Sequence, residues 1–151
     1  MFDDDKIDEI LHKLDEADIM ILMGMRRSVG SVNVIPTSKE KLLEAFTKNH
    51  KKTKLTVGAR AFSKHCVRSS DNWWGICTGN IQNKNKVAFD KLMYIIDNAD
   101  WINVHGLPHD INILEIRIPD GYGARWLADG SEFRGFVEPY MVDGHEKGWK
   151  H

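Results

Sequence analysis

The sequence predicts an α+β domain, in which helices from the first two thirds pack on an antiparallel sheet in the last third that can curl toward a barrel. Apolar residues recur at helical spacing as far as about residue 98, and short strand-like segments separated by turn residues follow. There is no alternating βαβ pattern and no internal repeat. A chain of 151 residues that is 42% hydrophobic and 28% charged can bury one core. We therefore expect a single domain over residues 1–151.

The expected helices and strands follow from local patterns. Residues 7–14 carry one apolar stripe, and Thr37 and Glu40 have capping-box spacing before the second helix. Helices are expected within residues 1–25 and over about 38–48, 59–68 and 85–98. Strands are expected at 32–35, at 55–57 before Gly58, and at 101–104, 111–118, 125–127 and 133–137. Residues 71–85 lack periodicity but contain two tryptophans, which indicates a long, ordered loop.

The composition argues against several classes of protein. The longest apolar run, Ile19 to Met23, is too short to span a bilayer, and the acidic N-terminus differs from a signal peptide. The two cysteines, Cys66 and Cys77, form neither a disulfide framework nor a zinc-binding pattern. We therefore expect no membrane partner and a reducing, cytoplasmic location. The oligomeric state is left open.

Charge is distributed unevenly along the chain. Residues 26–91 contain fourteen basic and four acidic residues, although the whole chain has a net charge of −1. A basic block of this kind indicates an anionic partner such as a nucleic acid. The alternative is that this block docks on residues 92–151, where ten acidic residues outnumber five basic ones.

The first candidate binding site is the basic segment that begins at Gly58. A helix over 59–68 would place Arg60, Lys64 and Arg68 along one side, opposite an apolar back. Backbone amides at a helix N-terminus attract anions, and a glycine lets a ligand approach the backbone. These four residues are therefore predicted to hold a phosphate or a carboxylate. The alternative is a solvated basic face that pairs with the acidic sheet.

The second candidate site is the loop that contains Trp73 and Trp74. Adjacent indoles on an extended backbone point in opposite directions, so at least one is expected to be available to a base. Trp74 is favoured for stacking because Gly75 leaves room beside it, whereas Trp73 is expected to anchor the loop. Lys84 is predicted to contact the same ligand. In the alternative, both tryptophans fasten the loop to the domain.

The candidate acid–base residues are His105, His109 and Glu115. Because Gly106 and Pro108 prevent a helix between the two histidines, no metal site is expected there. An imidazole oriented by a neighbouring carboxylate can instead transfer protons. The alternative is a loop in which the histidines only satisfy backbone carbonyls.

Charged residues are expected on one face of the sheet. Strand spacing places Glu115 and Arg117 together, opposite Leu114 and Ile116. Arg125 belongs to the same polar third of the chain and is predicted to contact the ligand. The alternative is a buried Arg–Glu network without a ligand.

Three stretches of the chain read WINVHGLPHD, EIRIPDGYGARW and FRGFVEPYMVDGHEKGWKH. Together they resemble a largely uncharacterised eukaryotic family, some of whose members are described as RNA-binding ASCH-domain proteins. The resemblance covers about 58–151 as an ASCH-like core and implies the PUA-like fold, a small β-barrel with helices. The ASCH signature corresponds here to Gly58, Arg60, Ser63 and His65, where the family has Gly, Lys, Glu and Arg. This departure argues against a hydrolytic role carried over from ASCH enzymes, and leaves RNA binding.

Two functions are consistent with these patterns. The leading hypothesis is a domain that binds single-stranded RNA or a nucleotide, through phosphate contacts on the basic helix and base stacking on a tryptophan. The alternative is a hydrolase or lyase on a small anionic or nucleoside-like substrate, with His105, His109 or Glu115 as the proton-transfer group. No cofactor is expected in either case. The two hypotheses differ in whether the acid–base residues share a cleft with the basic helix.

Overall fold

A computed structural model describes residues 3–140, as five helices followed by a four-stranded antiparallel sheet. The predicted α+β class is confirmed. The helices are α1 (Asp4–Lys13), α2 (Glu16–Leu22), α3 (Lys39–Thr47), α4 (Val57–Arg68) and α5 (Ile81–Asn98). The strands are β1 (Trp101–Leu107), β2 (Ile111–Arg117), β3 (Gly123–Leu127) and β4 (Phe133–Val137). The end of the third ASCH-like stretch, residues 141–151, lies outside the described residues.

The sheet is open, with the strand order β1-β2-β3-β4. The expectation that it curls into a barrel is wrong, because β1 does not pair with β4. The outer edge of β1 is instead bonded to the segment before α3. In that segment the amides of Arg26 and Val32 donate to the carbonyls of Ile102 and Val104, at 2.7 and 2.9 Å.

The two faces of the sheet differ in character. One face packs against the helices and supplies the core residues Val104, Leu114, Ile116, Ala124, Trp126 and Phe136, all at most 7% exposed. The other face carries polar side chains at paired positions of neighbouring strands, since Asn103 pairs with Glu115 and Glu115 with Arg125. This second face is therefore where the sheet can contribute chemistry.

The N-terminal region departs from the expected single helix. Asp15 starts a new helix through a capping box with Asp18, which ends α1 and begins α2. The apolar stripe of α1 is not buried, since Ile7, Ile10 and Leu11 are 42–55% exposed. The strand expected at 32–35 is wrong: these residues form no strand, and the isolated bridge nearby joins Ser31 to His105.

Caps decide where the next helices begin. Ser38, rather than Thr37, accepts a hydrogen bond from the backbone of the first turn of α3. Thr56 caps α4, and its hydroxyl accepts a hydrogen bond from the Ala59 amide at 3.1 Å. The strand expected at 55–57 is therefore wrong, because Val57 already belongs to a helix.

The fourth expected helix begins earlier than its apolar spacing predicts. Asn80 caps it by accepting from the Asn83 amide at 2.8 Å, so α5 starts at Ile81 and the tryptophan loop is shorter than expected. The first turn of α5 is polar, so apolar spacing does not indicate it. None of the helices within residues 3–140 has the length and apolarity needed to cross a membrane.

Gly58 lies inside α4 and is a packing residue. A Cβ atom at this position would lie 2.2 Å from ring atoms of Phe46, a side chain that is 0% exposed. Phe46 packs edge-on against Phe133 and Phe136, with ring centroids 4.8 and 5.9 Å apart. The expected ligand approach at Gly58 is therefore wrong, because an aromatic ring of the core occupies that space.

We expect Gly58→Ala to lower the free energy of unfolding by about 1–3 kcal/mol, because the added methyl overpacks the Phe46 site. Urea unfolding of the variant and the wild type measures this loss. Gly106→Ala is the matched control, because its Cβ would meet other atoms only at 3.7 Å or more. If Gly58→Ala is as stable as the control, the close packing of α4 on Phe46 is incorrect.

Candidate functional site

A groove of about 1150 Å³ lies between α4, strands β3 and β4 and the segment that follows β4. We call it the basic groove because five cationic side chains line it: Arg60, Lys64 and Arg68 from α4, Arg125 from β3 and Arg134 from β4. Among the described residues, only two acidic ones line the same groove, Asp71 and Glu138. The groove therefore carries an excess of positive charge that suits an anionic ligand.

Helix α4 presents its cations as a row. Arg60, Lys64 and Arg68 recur every four residues, so successive side chains start about 6 Å apart along the helix axis. The opposite side of α4 is fixed in the core by Ala59 and Phe62, which are 0% and 2% exposed. The structure thus places these three predicted ligand-binding residues together, and adds Arg125 across the groove.

His65 is a histidine with an oriented ring in the basic groove. Its Nδ1 lies 3.2 Å from Oε1 of Glu138, and the indole of Trp74 donates to the same oxygen at 2.9 Å. The imidazole also packs on Trp74, with ring centroids 4.7 Å apart. His65 also lines the groove, and within residues 3–140 its imidazole hydrogen-bonds through Nδ1 alone.

The tryptophans do not have the stacking role expected of them. Trp74 is 2% exposed and sits among Phe62, His65 and Phe136, where a base cannot reach its ring. Trp73 stacks on Tyr122 with centroids 4.0 Å apart, and the Lys91 ammonium lies 4.1 Å from the same ring. Burial of the first indole and occupation of both faces of the second exclude base stacking in this structure.

A second cluster lies on the polar face of the sheet. It consists of Glu115, Arg117 and Arg125, and we call it the Glu115 triad. Glu115, which is 1% exposed, accepts hydrogen bonds from Nε of Arg117 at 2.9 Å and from Nε of Arg125. The two guanidinium groups contact different oxygens of the carboxylate. Nε2 of His105 lies 3.9 Å from the oxygen that Arg125 contacts. The triad holds Arg125 in one orientation at the wall of the basic groove.

The triad and the groove form one connected network. Nη1 of Arg117 donates to the carbonyl of Glu138 at 2.9 Å, and the Glu138 carboxylate contacts His65. Arg125 pairs with Gly135 on β4, where an added Cβ atom would meet no other heavy atom within 4 Å. Because Gly135 has no side chain, nothing at this position of β4 covers Arg125.

The environment shifts the pKa values of the two titratable groups beside Arg125. Burial raises the pKa of Glu115, but the hydrogen bond and charge of Arg117, with the charge of Arg125, outweigh it and leave this pKa below its ordinary value. Burial lowers the pKa of His105; the Glu115 carboxylate opposes this, and Arg125 and Arg117 add to the lowering. At neutral pH, Glu115 is therefore ionised and His105 is neutral.

Other predicted site residues lie elsewhere. His109 is exposed in the turn after β1, where its φ angle is 67°, and it does not line the groove. Lys84 lies on α5, also outside the groove lining. Within residues 3–140, no group of three or more His, Cys, Asp or Glu side chains is placed to hold a metal ion.

Several residues of the site were not predicted from the sequence. His50, Arg134 and Glu138 line the groove, and so does His65, whose only predicted feature was a mismatch to the ASCH signature. The run around His50 is basic, and partial burial, followed by the charges of Arg60 and the nearby lysines, lowers the pKa of this histidine. The pairing of His65 with Glu138 spans 73 positions, and no local pattern reports such a contact.

Comparison with known proteins identifies the domain. Residues 45–138, well over half of the chain, match the profile of the CdiA C-terminal tRNase toxin domain. The chain belongs to this family. The match contains α4, α5 and all four strands, and with them every residue that lines the basic groove except Pro139.

A solved structure supports the relationship to this toxin-domain family. The toxic C-terminal tip of CdiA from Pseudomonas aeruginosa, crystallised in complex with an immune protein, is 27% identical to the chain. The alignment covers 63% of this chain and 99% of that one, with a TM-score of 0.53. No functionally curated protein matches the chain.

The assignment to a eukaryotic ASCH or PUA-like family is therefore wrong. The family match covers the first two of the ASCH-like stretches, and the sheet that they form is open. Within residues 101–138, the segments that carried the resemblance form strands β1 to β4 and their turns, and these belong to the matched toxin domain.

Proposed function

We propose that this protein is a ribonuclease that binds RNA in the basic groove and cleaves it, with tRNA as the substrate. The observation that carries the proposal is the placement of Arg125, which lines the groove and is fixed from behind by Glu115. A cation held in one orientation can stabilise the charge that develops on a phosphate during cleavage. Membership of a tRNase toxin family supports the choice of substrate.

RNA binding is assigned to the cations of the groove. Arg60, Lys64 and Arg68 form a row along α4 that suits successive phosphates of one strand, and Arg134 adds charge from β4. Because both tryptophans are inaccessible to a base, phosphate contacts rather than indole stacking supply the affinity in this proposal. The site of action is the cytoplasm, since tRNA is found there.

Proton transfer is assigned to His65. Cleavage of a phosphodiester requires a proton to leave the attacking oxygen and another to reach the leaving oxygen. His65 is an imidazole that lines the groove, and Glu138 fixes its ring through Nδ1. His105 is a second imidazole on the other side of Arg125, close to Glu115. This arrangement favours an RNA-cleaving enzyme over the binding module expected from the sequence.

Incubation of the purified protein with tRNA tests this function. We expect wild-type protein to produce discrete tRNA fragments, resolved on a denaturing gel. If no tRNA and no other RNA is cleaved under any condition in which the protein is folded, the proposed function is incorrect.

Lys64→Ala tests whether the groove is the binding surface. We expect it to weaken tRNA binding and to reduce the dependence of log affinity on log salt by about one, because one phosphate contact is lost. Affinity is measured in a His65→Gln background, so that the RNA stays intact. Lys84→Ala is the matched control, since this lysine lies outside the groove. An equal effect of both variants would place the binding surface elsewhere.

A further inference from the structure

The Glu115 triad carries one positive charge more than its own residues balance. Two guanidinium groups share a single carboxylate, and the side chains of Glu115, Arg117 and Arg125 are 1%, 7% and 25% exposed. Uncompensated charge in such a buried place is costly unless another group neutralises it. One further anion would therefore neutralise the cluster.

Neighbouring acidic groups within residues 3–140 do not fill this role. The Glu138 carboxylate accepts hydrogen bonds from His65 and Trp74, and Arg117 contacts only the backbone carbonyl of that residue. Asn103, which faces Glu115 from β1, is neutral, and its amide is bonded to Ser28 and Ser31. The charge of the triad thus remains unbalanced among the described residues.

One atom of the triad also lacks a hydrogen-bond partner. Nε of Arg117 donates to Glu115, and Nη1 donates to the carbonyls of Gly121 and Glu138. Nη2 is buried and has no acceptor within residues 3–140. Buried donors are nearly always satisfied, so an orphaned one next to an unbalanced positive charge points to a ligand that carries negative oxygens.

We propose that Arg117 and Arg125 form a subsite for one phosphoryl group, which accepts a hydrogen bond from Nη2 of Arg117. Guanidinium groups match the geometry of phosphate oxygens, and two of them around one phosphoryl group would balance the triad. Identification of the ligand as the phosphodiester that is cut rests on the proposed function. Binding of a phosphoryl group as such does not.

Access to this subsite involves Tyr140. Its ring lies over the guanidinium of Arg117, with Cζ 4.6 Å from the ring centroid, and the residue is 70% exposed. Because Nη2 is buried, a ligand reaches it only when a covering side chain moves, and the Tyr140 ring lies over this guanidinium. We therefore expect Tyr140→Ala to bind phosphate at least as tightly as the wild type. A loss of affinity in this variant would overturn the access route.

Titration of inorganic phosphate, followed by calorimetry, tests the subsite. We expect one phosphate per chain in the wild type and at least tenfold weaker binding in Arg117→Lys, which keeps the charge but loses Nη2. Arg134→Lys is the matched control, because Arg134 lines the groove but lies outside the triad. Equal phosphate affinity in Arg117→Lys and the wild type would overturn the proposal.

A second measurement uses the wild-type protein and so does not require the variant to fold. The side-chain N–H signals of Arg117, observed by ¹⁵N NMR, should shift as phosphate is added and saturate with the calorimetric affinity. Unchanged Arg117 signals at saturating phosphate would overturn the subsite even if Arg117→Lys fails to fold.

A competition experiment with an oligonucleotide separates this inference from the proposed function. An oligonucleotide with 2′-deoxy sugars, which cannot supply a 2′-hydroxyl for attack, should displace phosphate if the subsite holds a phosphodiester of the substrate. If the protein binds phosphate and this oligonucleotide at the same time, without displacement, the assignment of the subsite to RNA is overturned. If wild-type protein binds phosphate through Arg117 but cleaves no RNA, the subsite stands and the proposed function fails.

Discussion

Glu115→Gln is expected to lower the free energy of unfolding by about 3–5 kcal/mol, because it removes the carboxylate that two guanidinium groups share. Glutamine has nearly the same size and still offers one acceptor oxygen, so the loss reports the charge rather than a cavity. Urea unfolding at neutral pH, followed by circular dichroism, gives the difference from the wild type.

Glu132→Gln is the matched control for this experiment. Glu132 pairs with Arg134 at 3.2 Å, but the two side chains are 56% and 44% exposed. Exposed pairs contribute less than about 1 kcal/mol, so this variant should unfold almost like the wild type. A Glu115→Gln variant that is as stable as Glu132→Gln would show that the triad does not stabilise the fold.

The same carboxylate makes stability depend on pH in a defined direction. The pKa of Glu115 is lower in the folded protein than its ordinary value of 4.5. Its contribution is therefore complete above pH 4.5 and is lost as the pH falls through the lower, folded-state pKa. Wild-type protein should lose stability over this acidic range more steeply than Glu115→Gln, which has no carboxyl group to protonate at this position.

His65→Gln is expected to reduce the rate of tRNA cleavage about 10²–10⁴-fold, the effect typical of losing a general acid or base. The glutamine keeps a polar side chain beside Glu138, so tRNA affinity should change little. Single-turnover cleavage of end-labelled tRNA, measured beside equilibrium binding, separates the two quantities.

His12→Gln is the control for the loss of a histidine as such. His12 is exposed on α1, and its ring contacts the Asp8 carbonyl at 2.8 Å. This variant should cleave tRNA at the wild-type rate. If His65→Gln also cleaves at that rate while His105→Gln is inactive, proton transfer belongs to the triad side of Arg125 and not to the groove side.

Much of the fold could be predicted because local patterns determine it. Leu42 and Phe46 on α3 are buried, at the spacing of one helical face. Strand alternation on β2 correctly separated Leu114 and Ile116 from Glu115 and Arg117. Caps were harder to predict, because Thr56 and Asn80 begin helices inside segments that lack a clear apolar period.

The candidate site could be predicted only where one element carries it. The cation row of α4 follows from a spacing of four residues within a single helix. The Trp74 indole could not be placed from sequence, because its burial depends on Phe62 in α4 and on Phe136 and Glu138 in and just after β4. His65 and Glu138 are brought together by the packing of α4 against β4, and no pattern along the chain encodes that contact.

The bonding of residues 26–32 to β1 has a consequence for the protein at high concentration. An uncovered edge strand offers its amides and carbonyls to a strand from another molecule and so promotes aggregation. Here the carbonyls of Ile102 and Val104 are already occupied at one edge of the sheet. The opposite edge, β4, is only five residues long, is irregular beside Arg125 and carries the exposed cation Arg134. Both ends of the sheet are thus poor templates for strand addition, so crowded folded molecules are protected from joining edge to edge.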